Sequence, residues 1–412
     1  MQILLTTVGG TIEPIQTTWN HLHPDKTYFI CSEDDPLTGR QGTYVTIEKG
    51  ADGGLASKLG LTSDQFEIVK VPADRPDVSY HIIHGLIDEI YRTFPDAEIA
   101  ADYTGGTKSM SAALILAAID YPQVNVFVVT GARTDFVKVQ HGTHHTFQVP
   151  ANRVYVEREF SLAMKHWEHY DYEAAARRLH QLIEGRVISD TSTDISRAKQ
   201  LSMAFGFWDR FQYQLAYENL RPFAGTLSFL PKYIEQVHFL LDDEDPLRRD
   251  YLRIWDLWFN ALRRAENARF DDGVARLYRL LEATAQWLLQ HAHQIDTSQV
   301  LPSQLPSEFW LENAANEPLK IGLFEAWRLL REIDKGPLSH WISQEESHLR
   351  YYLNIRNESY LAHGHRPISE VEWHKWREWL EKSFLPALQE QGRLYGLKKI
   401  PEQLPRAWKE KT

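Results

Sequence analysis

The sequence predicts an α/β, Rossmann-like N-terminal domain followed by an all-α connector and a second all-α domain. Three observations predict this. Up to about residue 150, short β-rich runs alternate with helical stretches, the pattern of βαβ units in a mostly parallel sheet. From about Phe160 strand-like runs vanish, and Trp, Arg, Leu and Glu recur at helical spacing as far as Gln391. The chain also has 412 residues, too many for one ordinary core and suited to two or three domains of about 100 to 200 residues.

In chain order, the expected strands are 2–8 (QILLTTV), 27–31 (TYFIC), 43–47 (TYVTI), 66–71 (FEIVKV), 97–102 (AEIAAD) and 125–130 (NVFVVT), with helices at 78–94 and 108–121 between them. In the helical half, Val274, Leu277, Leu281, Ala285 and Leu288 share one face of a helix that begins near Asp271 or Asp272. Segments 241–246 (LDDEDP) and 296–306, with Pro302 and Pro306, read as breaks. The expected domains are 1–150, a helical connector at 151–262 and a second helical domain at 263–412. The string YDYEAA at 170–175 weakly echoes FDDGVA at 270–275, but two copies a hundred residues apart do not make a tetratricopeptide period.

With 43% hydrophobic residues and 13 Trp, the chain can bury sizeable cores and is not a disordered one. A lone cysteine, Cys31, allows no internal disulfide and calls for no oxidising compartment. The longest apolar run, 112–119, falls far short of the ~20 residues of a membrane-spanning helix. The opening MQILLTTVGG has no basic n-region and reads as a first strand, so the expectation is a soluble cytoplasmic protein with no membrane partner. The 45 Lys and Arg against 56 Asp and Glu, net -11, argue against a surface that is basic throughout and against stable DNA binding. The charge is uneven: residues 351–412 hold 11 basic against 8 acidic residues, net +3, while the first 350 hold 34 against 48, net -14.

Two glycine turns follow strands. The first is Thr7-Val8-Gly9-Gly10-Thr11; the second is Tyr103-Thr104-Gly105-Gly106-Thr107-Lys108, opening a helix of small residues. Adjacent glycines let backbone N–H groups approach an anion, the helix N-terminus adds partial positive charge, and Lys108 adds a full one. The second turn is neither a P-loop, since Thr107 separates glycine from lysine, nor a GxGxxG fingerprint. On TTVGGT and DYTGGTKSM, the first 150 residues resemble the CARF domains, the Rossmann-like sensors of type III CRISPR ancillary proteins. The resemblance implies a homodimer that jointly holds a cyclic oligoadenylate, with cyclic tetra-adenylate favoured and hexa-adenylate possible, and no other cofactor. The implied ligand positions are Thr7, Gly9, Gly10 and Thr11, then Thr104, Gly105, Gly106, Thr107 and Lys108. Ser32 and Glu33, after the strand 27–31, are additions to the pocket wall.

Near the C-terminus stands Asn354-Ile355-Arg356-Asn357-Glu358-Ser359-Tyr360-Leu361-Ala362-His363-Gly364. On one helix, the seven-residue step from Arg356 to His363 makes two turns and puts both on one face, ~10.5 Å apart along the axis. Gly364 would then end that helix. The string resembles the Arg-x4-6-His motif of HEPN ribonucleases with its frequent Asn after the Arg, and the helix 271–290 resembles the opening helix of that domain. Residues 263–391 carry this second resemblance, and CARF followed by HEPN is a known architecture. It implies a metal-independent cut of single-stranded RNA in antiviral defence, with the RNA 2′-hydroxyl as nucleophile and 2′,3′-cyclic phosphate products. His363 would move the proton, Arg356 would stabilise the charged phosphorane and Asn357 would orient them, at a site formed where two protomers meet.

Other groupings read more plainly. Histidines at 141, 144 and 145, and at 363 and 365, have no acidic or cysteine partner at metal spacing, so no metal is expected. The 241–245 acids read as a solvated turn, and Trp373, Trp376 and Trp379 as a packing or dimer stripe. Two rival readings stand beside the nuclease: a non-catalytic ligand-sensing interaction protein with a helical repeat module, and a ring nuclease that degrades the cyclic oligoadenylate in its sensor domain.

Overall fold

The computed structural model describes residues 1–48, 54–131, 144–184, 192–307, 309 and 319–408. The chain divides into two compact units, Met1–Leu162 with Arg178–Ser196, and Ala163–Arg177 with Arg197–Thr412.

The first unit runs β1 (Gln2–Thr7), α1 (Glu13–Leu22), β2 (Lys26–Ser32), α2 (Val45–Glu48), α3 (Leu55–Lys58), β3 (Phe66–Val71), α4 (Pro76–Thr93), β4 (Glu98–Asp102), α5 (Lys108–Ile119), β5 (Asn125–Thr130) and β6 (His145–Val149). The sheet order is β3-β2-β1-β4-β5-β6, parallel except for the antiparallel β6. β1 and β2 are buried on both faces, which is why they read as near-continuous apolar runs. Ile3, Leu5, Ile30 and Ile99 pack against Ile83 and Ile87 of α4 and Met110 and Leu114 of α5. On the opposite face Phe29 and Cys31 meet Ile15, Ile47 and Leu55. Helices thus cover both sides of the sheet, as an α/β layer fold requires.

The sheet differs from the expected one in two places. Residues 43–47 form no strand; the chain turns instead into the short helix α2. Gly42 lies so close to the end of β2 that a Cβ would sit 1.9 Å from the Ser32 carbonyl oxygen, Thr43 and Ser32 exchange backbone-to-hydroxyl bonds of 2.9 Å, and β2 is already paired on both edges, by β1 and β3. The second is β6, a half-exposed antiparallel edge that its mixed sequence HTFQV does not announce.

Beyond the sheet the chain is helical: α6 (Ala151–Glu168), α7 (Tyr172–Glu184), α8 (Ser192–Asp209), α9 (Tyr213–Leu220), α10 (Leu230–Leu240), α11 (Pro246–Glu266), α12 (Phe270–His293), α13 (Leu323–Ile333), α14 (Pro337–Asn357), α15 (Glu370–Trp379) and α16 (Leu385–Leu394). Residue 262 lies inside α11. The 241–246 acids are ordered by use: Asp245 caps α11 by accepting from the Arg248 N–H at 3.0 Å, and Asp242 pairs with Arg248 at 2.7 Å. Three helix pairs, α6–α7, α8–α9 and α11–α12, share one turn with a single residue at positive φ: Tyr170 (58°), Phe211 (62°) and Ala268 (55°). In that turn Tyr170 corresponds to Ala268, so the YDYEAA and FDDGVA strings stand two residues out of step and the shared turn does not account for their echo.

The second unit is tied by a buried charge network. Arg263 on α11 is fully enclosed and reaches Asp209 at the end of α8 (2.7 Å), Asp256 two turns back on the same helix (3.3 Å) and Gln403 of the C-terminal segment (2.6 Å). The tryptophan series is packing: Trp373 and Trp376 are buried, and Tyr352 of α14 stacks on Trp376 and Trp379 with ring centroids 5.2 and 4.8 Å apart. Gly273, inside α12, makes room for this, because a Cβ there would meet the Trp373 ring at 2.7 Å.

Candidate functional site

In the first unit the glycine loops meet. β1 leaves for β2 on one side and borders β4 on the other, so the ends of β1 and β4 form the topological switch point of the sheet, where open α/β sheets hold ligands. A Cβ on Gly9 would lie 2.9 Å from the Gly106 nitrogen, and one on Gly105 would lie 2.3 Å from the Thr7 carbonyl oxygen; Gly106 has φ of +77°. These contacts and that conformation require glycine. Gly10, by contrast, has open space around its Cα.

Several threonines proposed from sequence spend their hydroxyls inside the protein. Thr7, fully buried, donates to the Gly105 carbonyl at 2.7 Å. The Thr104 hydroxyl donates to Asp102 and accepts from the Val129 N–H at 2.7 Å. Thr107 caps α5, accepting from the Met110 N–H at 3.2 Å. Ser32 is likewise held by Thr43, while Glu33 and Thr11 are exposed. The groups left to meet a ligand are therefore the loop backbone, the start of α5 and exposed Lys108. Asp102 lies beneath, fully buried; burial pushes its carboxyl up, with Thr104 and Thr18 pulling the other way, and among the described residues its Oδ2 has no hydrogen-bond partner within bonding distance. Sequence reasoning passed over Asp102, although an acid ending a buried strand is a visible signal.

In the second unit the expected single helix from Arg356 to His363 is corrected: α14 ends at Asn357. A compact loop follows, in which Ser359 bridges Arg366, the Gly364 N–H donates to the Ser359 carbonyl at 3.1 Å, and the His363 N–H donates to the Asn357 carbonyl at 3.3 Å. Gly364 is there for space and not as a helix stop, since a Cβ would lie 1.9 Å from the Glu358 carbonyl oxygen. The loop is anchored beyond by the Ile368 N–H, which donates to Asp271 at the start of α12 at 3.0 Å. The turn brings Asn357 and His363 side by side through the backbone, and Arg356 donates to the Asn357 Oδ1 at 3.2 Å. His363 is exposed. A neighbour that sequence reasoning missed is Tyr278 of α12, whose ring centroid is 4.2 Å from the Arg356 guanidinium carbon. Sequence spacing carries no signal for it, because the contact joins two distant helices.

Among the described residues no three His, Cys, Asp or Glu side chains gather as a metal site needs, and no helix is long and apolar enough to cross a membrane. His141 lies outside the described residues.

Residues 247–384 match the family described as the Csm6 HEPN domain, a span that contains Arg356, Asn357 and His363. The chain shares its fold with Enterococcus italicus Csm6 bound to cyclic hexa-2′-fluoro-hexa-dAMP, at 15% identity and a TM-score of 0.62 over 97% of this chain and 97% of that one. It also matches Can2 from Sulfobacillus thermosulfidooxidans in complex with cyclic tetra-adenylate, at 12% identity and a TM-score of 0.25 over 55% of this chain and 69% of that one, too low a score to support an argument. No curated protein sequence matches.

Proposed function

We propose that the chain is a CARF–HEPN ancillary ribonuclease of type III CRISPR systems: a homodimeric, metal-independent endonuclease of single-stranded RNA that a cyclic oligoadenylate switches on. The observation that carries this reading is the family match across α11 to α15, which includes the Arg356 helix and the His363 loop. The cyclic oligoadenylate binds at the loops after β1 and β4, where backbone amides, the α5 N-terminus and Lys108 suit its phosphates. The ligand of the Enterococcus italicus protein supports this class of activator; cyclic tetra-adenylate and cyclic hexa-adenylate are the two arms of its test.

In the cut, the RNA 2′-oxygen attacks the adjacent phosphorus as its proton passes to a histidine, and the P–O5′ bond breaks as the leaving oxygen takes a proton. A 2′,3′-cyclic phosphate and a 5′-hydroxyl result. Histidine suits both transfers because it ordinarily titrates near pH 6.5. Arg356 stabilises the growing charge on the phosphoryl oxygens, and Asn357 orients the guanidinium it already accepts from. One Arg and one His per chain become two of each where two copies meet. Ligand binding acts by favouring the dimer state in which these groups align. We place this work in the cytoplasm, in line with the lone Cys31.

The test is incubation of the purified chain with each cyclic oligoadenylate and a fluorogenic single-stranded RNA in EDTA. Cleavage that needs the activator and disappears in His363→Ala, with activator binding kept, is the expected result. RNA left intact with every activator, or full cleavage by His363→Ala, would overturn the proposal.

A further inference from the structure

Arg356 differs from the arginines around it. Arg350, on the same helix, pairs with Glu346 at 3.2 Å, and Arg366, across the loop, pairs with Glu372 at 2.7 Å. Arg356 has no carboxylate partner among the described residues. Among the described residues its Nε is enclosed without an acceptor, its Nη1 donates to Asn357, and its guanidinium carbon lies 4.2 Å from the centre of the Tyr278 ring. A guanidinium binds in two ways: through its face to a π-system, and through its edge to oxygen acceptors in its own plane. Tyr278 holds the guanidinium from the ring side and brings it no negative charge.

We infer that Tyr278 is a positioning residue for RNA cleavage, its ring holding the Arg356 guanidinium in place so that the remaining Nη donors meet the scissile phosphate. The inference rests on the reading that Arg356 and His363 cut RNA. A neighbouring carboxylate would also hold the arginine in place, but would neutralise the charge that the phosphorane needs; an aromatic face holds it without doing so. The ring and not the phenol carries the role, so phenylalanine should substitute.

The experiment uses the full chain with the cyclic oligoadenylate that activates the wild type. Tyr278→Phe should keep kcat within about twofold, and Tyr278→Leu should lower kcat about tenfold with KM little changed, the size of a partly desolvated cation–π contact. Activator binding and melting temperature should be unchanged. If Tyr278→Leu melts early, Tyr278→Met replaces it as the non-aromatic variant with the same expectation. Non-aromatic variants that cut at the wild-type rate, or a Phe variant that loses as much as they do, overturn the inference. Arg356→Ala and His363→Ala run alongside: if either cuts normally, or the wild type cuts no RNA, the underlying nuclease reading has failed. If both are inactive while the non-aromatic variant is normal, only the role of Tyr278 has failed.

Discussion

The backbone N–H of His363 donates to the carbonyl oxygen of Asn357 at 3.3 Å, so the histidine is placed by a turn folded back on the end of α14 and not by the helix itself. That turn closes only because Gly364 passes against Glu358, where a Cβ would come within 1.9 Å of the carbonyl oxygen. Gly364→Ala must therefore shift the loop that holds His363. An angstrom of misplacement costs on the order of a hundredfold in rate. RNA cleavage should fall by about that factor while cyclic oligoadenylate binding at the site proposed in the other unit stays at the wild-type value. Wild-type cleavage by this variant would show that the turn does not place the histidine.

Gly105 and Gly10 make a contrasting pair in the two glycine loops. A Cβ on Gly105 meets the Thr7 carbonyl oxygen at 2.3 Å, and one on Gly10 meets nothing within 4 Å. Backbone cannot yield as a flexible side chain can, so Gly105→Ala should destabilise the first unit by about 1–3 kcal/mol and abolish cyclic oligoadenylate binding. Gly10→Ala should change thermal stability by no more than about 0.5 kcal/mol. Equal melting of the two variants would contradict the steric account.

The sheet was legible because β1 and β2 are buried on both faces and must be apolar along their length. The 43–47 run carries the same residue types but sits behind Gly42, whose contact with Ser32 turns the chain away; composition cannot report that contact. The Arg356, Asn357 and His363 string was legible as a string, yet its geometry was not. Helical spacing holds only while the helix continues, and the Ser359–Arg366 bridge that ends it is a pairing between residues without a periodic signature. Tyr278 was out of reach for the same reason, as a contact between helices far apart in sequence.

Asp102 predicts a pH dependence. Its buried carboxyl holds its proton to a higher pH in the folded chain than in the unfolded one, where it titrates near the ordinary 3.8. Between those two values the folded state binds more protons, so stability falls as pH rises through that window, and the loss persists at neutral pH. Asp102→Asn keeps an Oδ1 for the Thr104 N–H, which donates at 3.0 Å, and puts an uncharged amide at the unpartnered Oδ2 position. The variant should melt higher than wild type at pH 7 and lose its advantage near pH 4. A variant that melts lower at pH 7 would contradict this sign.

Ala268 is the most correctable of the three positive-φ turns. Its φ of 55° is one that an L-residue adopts at a cost of about 1–2 kcal/mol, and glycine adopts freely. Its N–H donates to Ala265 at 2.9 Å and the next N–H to Arg264 at 3.1 Å, so the turn closes α11 through backbone bonds that a substitution leaves in place. Tyr170 and Phe211 occupy equivalent turns, but their rings are in use: Tyr170 receives the Arg406 guanidinium at 2.8 Å and Phe211 packs on Tyr213 with ring centroids 6.2 Å apart. The exposed methyl of Ala268 has no such contact to lose. Against the relief stands the greater freedom of glycine in the unfolded chain, about 0.4–1 kcal/mol. Ala268→Gly should therefore be net stabilising by about 0.5–1 kcal/mol, seen as a rise in melting temperature of the second unit with cleavage unchanged. A fall in melting temperature would mean that the strain at this turn is smaller than its φ implies.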